Sequence, residues 1–322
     1  MNSNDIQKAV VIGTGMMGPG IAYALAKAGC TVTLYGRTQE SLEKGFRSCQ
    51  KAVDTLVEAA CITKEAGGSI IGKITGSTDL ESAIRDTNLV IESIVEDIKI
   101  KQGLFSRIES GCPGDAILTS NTSGLPATEL AGALEHPERF AVTHFWNPPH
   151  LMPLVEVVKG ESTSIETIET LAALLTQAGK TPVKVLKDTP GQLGNRLFHA
   201  LIREAYWIVQ EGIASAEDVD SAIKNGLGRR FPVYGALEHQ DLVGLDMVCA
   251  IQDYMCKALC SETEPAKLLR DLVSSGNLGA KTGKGVYDWA QKSEMDVIEK
   301  RDRFLIHLLQ METKSSSSGS SA

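Results

Sequence analysis

The chain lacks several things that would define other protein classes. No apolar run approaches the length of about 18 residues that a membrane-spanning helix needs, so no span is expected. Positive charge is not in excess: the formal net charge is -8, which argues against a general nucleic-acid binder. No Cys-x-x-Cys pair occurs among the seven cysteines, a scatter that fits a reducing cytoplasm. Cys256 and Cys260 stand one helical turn apart, but no His or Asp partners follow at ligand spacing. They are expected as buried helix residues, and no metal site is expected. The first residues pass directly into a strand pattern, leaving no room for a signal peptide. Internal repeats are also missing.

What is present is an alternation. With 322 residues and 43% hydrophobic content, the chain has the size of two globular domains. Residues 8–12 read as a buried strand, 16–28 as a helix, 31–35 as a second strand and 39–60 as a polar helix. Strand signals return at 89–95, 116–119, 141–144, 154–158 and 182–186, with a helix over 165–178. Strands alternating with helices predict an α/β fold with a parallel, doubly wound Rossmann sheet. After Asp188–Thr189–Pro190–Gly191 the strand signals fade, and 192–211, 215–225 and 241–260 read as helices. The expected organisation is a dinucleotide-binding domain over 1–187 and an all-α domain over 188–313. A serine-rich, disordered tail is expected over 314–322.

The first strand runs into Gly13–Thr14–Gly15–Met16–Met17–Gly18, which opens the first helix. In that context the glycines have distinct tasks. Gly13 permits the tight turn, Gly15 lets a pyrophosphate approach the backbone, and Gly18 lets helix and strand pack closely. The helix N-terminus then faces the anion with free N–H groups. The end of the second strand, Tyr35–Gly36–Arg37–Thr38, lacks the carboxylate that usually binds the ribose hydroxyls of NAD. Arg37 is suited to a 2′-phosphate, with Thr38 adding a hydroxyl, so both NAD and NADP stay open. The same Arg37 also fits a solvent-facing loop.

A second cluster follows about 130 residues later. His144 ends a short strand before Phe145–Trp146–Asn147–Pro148–Pro149, and Glu156 sits within the apolar run Leu154–Val158. A carboxylate in such a run needs a partner to offset desolvation. A histidine suits it, because the carboxylate fixes its tautomer and supports its protonated form. Residue chemistry alone leaves a plainer alternative, a satisfied strand histidine and an unrelated glutamate.

These motifs and their order resemble the 3-hydroxyacyl-CoA dehydrogenase family over nearly the whole chain. The matching stretches are Gly13–Gly18, 94–101, 120–123, His144–Pro148, Leu154–Val158, 188–196 and the closing Lys281–Thr282–Gly283–Lys284–Gly285–Val286–Tyr287. The resemblance implies a homodimer joined through the helical domain and a site in the cleft between domains. It implies His144 as general base, Glu156 as its support, and Ser123 and Asn195 as partners of the reacting oxygen. It also implies that Asn147 shapes the site, that Glu96 and Lys101 line the nicotinamide ribose side, and that Asn121 contacts cofactor. Met16 and Met17 belong to the glycine turn.

Three departures bear on substrate. The stretch 55–68 has little positive charge for CoA phosphates. The double proline after Asn147 is similar to the branch with L-gulonate 3-dehydrogenase (lambda-crystallin) and a pyridine-carboxylate dehydrogenase. Arg230, in Gly228–Arg229–Arg230–Phe231, is placed to clamp a carboxylate in two-pronged geometry. The expected activity is NAD(P)-dependent oxidation of the 3-hydroxyl of a small hydroxy acid. The alternatives are a short-chain 3-hydroxyacyl-CoA substrate and a non-catalytic, crystallin-like cofactor binder. His150 and His239 are expected in polar structural roles.

Overall fold

The computed structural model describes residues 3–318. The chain divides into two compact units, one of residues up to Asn195 together with those from Lys300 onward, the other Arg196–Glu299. The sequence places the boundary at Lys187. The difference has a local cause: residues 193–195 are hydrogen-bonded to groups of the first unit.

The first unit is built on an eight-stranded sheet. Its elements are β1 (Lys8–Ile12), α1 (Gly18–Lys27), β2 (Thr31–Tyr35), α2 (Gln39–Glu58), α3 (Lys64–Gly72), β3 (Ile74–Ser77), α4 (Leu80–Ile84), β4 (Leu89–Glu92), α5 (Ile98–Gly111), β5 (Ile117–Ser120), α6 (Ala127–Ala131), β6 (Phe140–Phe145), β7 (Leu154–Val158), α7 (Ile165–Gln177) and β8 (Thr181–Val185). The strand order is β3-β2-β1-β4-β5-β6-β7-β8. The first six positions give the doubly wound order, whose crevice lies at the carboxyl ends of β1 and β4.

The apolar strands are buried on both faces, as a helix-covered parallel sheet requires. Alternate residues separate into two cores. Ala9, Val11, Leu89 and Ile91 join α1, α2 and α7 on one face. Val10, Ile12 and Val90 join α4, α5 and α6 on the other. Phe105 and Phe140 meet edge-on in the second core, with centroids 4.9 Å apart.

One strand pair departs from the expected parallel arrangement: β6 and β7 are antiparallel. The connection over 146–153 is too short for a parallel crossover, which needs a dozen or more residues. Strand β3 also escapes the sequence pattern, because Ile74–Ser77 has only one buried side chain.

In the second unit α8 (Gly194–Gln210) continues into α9 (Ala216–Ala222), a π-helical turn at 223–227 and α10 (Gly228–Arg230). Then come α11 (Ala236–Val243), α12 (Leu245–Ala258) and α13 (Lys267–Ser274). Cys260 lies past the end of α12 and is buried, whereas Cys256 is exposed on it, unlike the expected pair of buried helix residues. The closing motif folds into a small ring through bridges Gly279–Lys284 and Lys284–Asp288. Gly283 takes a φ of 76° there, and a Cβ on Gly285 would fall 2.8 Å from the Cα of Gly279.

The last helix, α14 (Glu294–Ser318), keeps helical backbone where disorder is expected from Lys314. Leu305, Ile306 and Leu309 of this helix pack on the first core, and propagation from an anchored helix adds one hydrogen bond per residue. The rest of the expected tail, 319–322, lies outside the described residues.

Candidate active site

The glycine turn between β1 and α1 has the shape its sequence implies. Gly13 has φ +121°, and a Cβ on it would sit 2.2 Å from the Ser93 carbonyl oxygen. A Cβ on Gly18 would sit 1.8 Å from the Gly13 carbonyl oxygen. Only glycine fits at either place. Around Gly15 the space is open: nothing lies within 4 Å of a Cβ added there. Met16 is exposed, and Met17 leads into α1 without a side-chain cap on the helix N–H groups. Open space over Gly15 and uncapped N–H groups fit a dinucleotide pyrophosphate. Gly20, which the sequence reading passed over, gives room to Pro149, whose ring atoms would lie within 3.1 Å of a Cβ there.

These clearances separate folding from binding. We expect Gly15→Ala to keep the melting temperature within about 2 °C, since its methyl enters open space. Its affinity for NAD should fall roughly tenfold or more, the cost of displacing a pyrophosphate from close backbone approach. Calorimetric titration with NAD beside a melting curve checks both halves. Unchanged affinity would show that Gly15 does not face the cofactor.

At the end of β2, Gly36 is buried, and a Cβ there would meet Ser41 Oγ at 2.6 Å and Thr14 Cγ2 at 3.0 Å. The position therefore has no room for a ribose-binding carboxylate. Thr38 is the N-cap of α2, accepting from the Ser41 N–H at 3.1 Å. Arg37 beside it is exposed.

The carboxyl ends of β4 and β5 are organised by a residue the sequence reading treated only as part of a strand. Glu92 is fully buried. One of its oxygens accepts from Lys101 Nζ and from the Ile94 N–H, each at 2.6 Å, and the other accepts from Ser120 Oγ at 2.6 Å. A buried lysine needs such a partner. Lys101 Nζ also stands 3.4 Å from Glu96. Glu96 in turn accepts from the Thr122 hydroxyl and from the Ser123 N–H. Burial pushes the Glu96 carboxyl up, but the Thr122 hydroxyl, the Lys101 charge and the Ser123 N–H bring it below the ordinary value. The sequence carried half the signal, a glutamate closing the apolar run Leu89–Val90–Ile91, and nothing that pointed to Lys101 as its partner.

Ser123 is thereby joined to both Glu96 and Asn195, whose Nδ2 donates to the Ser123 carbonyl at 2.8 Å. Gln192 holds the neighbouring Thr122 carbonyl at 3.2 Å from a left-handed backbone, φ 53°. Asn121 accepts from the Phe145 N–H at 2.8 Å and so ties this loop to the residue after His144.

His144 and Glu156 are directly opposite each other in the β6–β7 ladder. Directly paired residues project from the same sheet face, so the register of β7 against β6 brings the two side chains together. His144 Nδ1 lies 2.7 Å from Glu156 Oε2. Both side chains are buried. Glu156 receives three more donors: Trp146 Nε1 at 3.1 Å and the Leu193 and Gly194 N–H groups at 2.8 Å each. Burial alone would raise its carboxyl, but His144, the Gly194 N–H, Trp146 and the Leu193 N–H hold it down at about 2. The carboxylate is ionised across the working pH range. The Leu193 and Gly194 donors were not foreseen, because backbone donors carry no side-chain signature, and Trp146 stood in the sequence only as part of the motif after His144.

Asn147 is exposed after β6. His150, two residues past Pro148, is driven by burial, and then by the Lys180 charge, to about 4. Lys180 donates to the Pro149 and Met152 carbonyls and closes this turn. In the second unit Arg230 is exposed at the end of α10, and His239 packs against Tyr234 with centroids 5.0 Å apart.

Comparison with known proteins adds a family context. Residues 8–189 match the model described as 3-hydroxyacyl-CoA dehydrogenase, NAD binding domain. Residues 191–289 match the model of the C-terminal domain of the same enzyme. The chain is 32% identical over 301 residues to 5-formyl-3-hydroxy-2-methylpyridine 4-carboxylate 5-dehydrogenase of Mesorhizobium japonicum, covering 94% of this chain and 96% of that protein. It is 38% identical over 290 residues to a probable 3-hydroxybutyryl-CoA dehydrogenase of Bacillus subtilis, covering 90% of this chain and 99% of that protein. A solved structure of the pyridine-carboxylate enzyme, described as an NAD+ dependent dismutase, is similar with a TM-score of 0.88 and 31% identity. That similarity covers 95% of this chain and 98% of the other.

Proposed function

The chain belongs to the 3-hydroxyacyl-CoA dehydrogenase family, and on that footing we propose that it oxidises the 3-hydroxyl of a small hydroxy acid with NAD or NADP. The observation that carries the proposal is the buried 2.7 Å pair of His144 and Glu156. Bound nicotinamide cofactor supplies the acceptor for the hydride. Glu156 engages Nδ1 of His144 and leaves Nε2 to take the hydroxyl proton in oxidation, or to return it in reduction. Ser123 and Asn195, joined at 2.8 Å, are the polar groups we assign to the reacting oxygen. Glu96 takes the ribose side of the nicotinamide, and Lys101, expected there too, is buried and supports Glu96 from behind at 3.4 Å; Asn121 and Asn147 border the same loops.

The free-acid substrate rests on charge. The stretch 55–68, from the end of α2 into α3, offers Lys64 but also Glu58 and Glu65, a poor match for CoA phosphates. Arg230 is the residue we assign to the carboxylate. The 3-hydroxybutyryl-CoA reading keeps one specific support, the 38% identity to the Bacillus subtilis relative. Arg37, exposed beside a Gly36 with no room for a carboxylate, supports NADP, whereas the NAD-binding family model supports NAD. A homodimer accounts for the apolar surface of the second unit. Among its described residues only Cys260 is buried, and Phe198, Leu201, Tyr206 and Leu272 line an open apolar cavity of about 650 Å³. Seven free cysteines suit a reducing, cytoplasmic setting.

The deciding experiment measures kcat/KM for a panel of 3-hydroxy carboxylates and for 3-hydroxybutyryl-CoA, with each cofactor. We expect the carboxylates to be preferred, and Arg230→Leu to raise their KM about ten- to a hundredfold, the loss of a charge-assisted contact. Efficient turnover of the thioester with no response to Arg230→Leu would overturn the free-acid reading.

A further inference from the structure

The sequence places a tryptophan next to the catalytic strand and a glycine at 194, and the structure joins them. The half-buried indole of Trp146 lies beside the His144 ring, with centroids 5.8 Å apart and planes inclined by 45°. Its Nε1 donates to Glu156 Oε2 at 3.1 Å, the same oxygen that His144 Nδ1 engages at 2.7 Å. The other oxygen holds two backbone N–H groups at 2.8 Å. A carboxylate offers about four acceptor sites, and here four donors occupy them. The indole reaches this place because residue 194 has no side chain: a Cβ there would lie 2.5 Å from Trp146 Cζ2.

We propose that Trp146 is a positioning residue of the dyad, with Gly194 as its clearance: the indole N–H fixes Glu156 on the side of His144 and draws negative charge away from the imidazole. A carboxylate must hold the imidazolium that forms in oxidation, but one that holds it too strongly keeps the base protonated before substrate arrives. A hydrogen-bond donor on the shared oxygen weakens that hold. Removing it leaves Oε2 to His144 alone and favours the protonated ring. The proposal rests on the reading of His144 as base.

Few other charges bear on the imidazole. Among the elements around β6, β5 carries no titratable group and β7 carries only Glu156. Helix α6 carries Glu129, and α7 carries Glu166 and Glu169, all exposed. The adjoining turn carries His150, with Lys180 bonded to its carbonyls. The 193–195 segment brings N–H groups and no charged side chain.

The test follows the titration of the His144 ring by NMR, and the acid limb of kcat/KM, in the full-length protein. Trp146→Phe should raise the midpoint of ring titration by about half to one pH unit, a fraction of the worth of one hydrogen bond to a charged group, because the lost donor acts on the ring only through Glu156. The acid limb should move the same way, with the Kd for NAD changed less than about twofold. Gly194→Ala should reproduce this shift by pushing the indole off Glu156. In the Trp146→Phe background, where the smaller ring vacates that space, Gly194→Ala should add nothing. A folded Trp146→Phe whose midpoint and acid limb stay in place overturns the proposal, and so does a Gly194→Ala effect that persists undiminished in the double variant. If Trp146→Phe does not fold, Gly194→Ala alone decides, by movement or its absence. A shifted midpoint together with an active His144→Gln variant would leave the Trp146 assignment standing and remove His144 as the base.

Discussion

We expect His144→Gln to lower kcat about a thousandfold or more, roughly 4 kcal/mol of transition-state stabilisation. The glutamine cannot take a proton from the hydroxyl, whatever hydrogen bonds it makes. Cofactor affinity should stay within about twofold, because among the described residues the His144 ring is hydrogen-bonded to Glu156 and not to the glycine turn or to Glu92, Lys101 or Glu96. Steady-state turnover beside calorimetric NAD binding checks both parts. A variant with wild-type kcat would remove His144 from the chemistry.

Glu156→Gln should cost a comparable factor in kcat, about a hundred- to ten-thousandfold, since the imidazolium loses its counter-charge and its fixed tautomer. The fold also pays. An amide has one acceptor oxygen, and its NH2 must face either two backbone N–H groups or the His144 and Trp146 nitrogens. The sign of the pH dependence follows from the carboxyl held at about 2. The unfolded chain binds this proton near pH 4.3, so between those values it carries more protons than the folded chain. The stabilisation is therefore complete above about pH 5 and is lost as pH falls through 2. Chemical denaturation should show the variant roughly 3 kcal/mol less stable at pH 7, with the deficit shrinking toward pH 2. A deficit that stays constant from pH 7 to pH 2 would show that ionised Glu156 contributes nothing to the fold.

What the sequence made legible follows physical range. The glycine turn could be read because its spacing sits between a strand and a helix; the 1.8 Å approach of Gly18 to Gly13 is local, whereas Gly13 answers a clash with the distant Ser93 and Gly15 answers none. The His144–Glu156 pairing could be suspected from an apolar run around a carboxylate, and the 2.7 Å distance supports it. Its register could not, since strand direction is set by the length of the 146–153 connection together with the sheet that receives it. Glu92 was passed over because a partner nine residues ahead, on another element, is invisible to strand periodicity. The Leu193 and Gly194 donors leave no trace in side-chain chemistry, and the helical run past Lys314 depends on anchorage in a distant core. Arg230 and Asn147 are legible only as chemistry: both are exposed, and neither position is fixed by burial.

The antiparallel turn of β7 has a consequence for thermal behaviour. Acid–base machinery carried on loops opens in local fluctuations well below the global transition. Here the proposed base and its counter-charge occupy opposed rungs of one ladder, within a stretch of sheet buried except at Leu154. Amide protons of β6 and β7 should therefore exchange only through the rarest openings, alongside those of β1 and β4. On heating, the ability to move a proton should survive until the sheet itself comes apart.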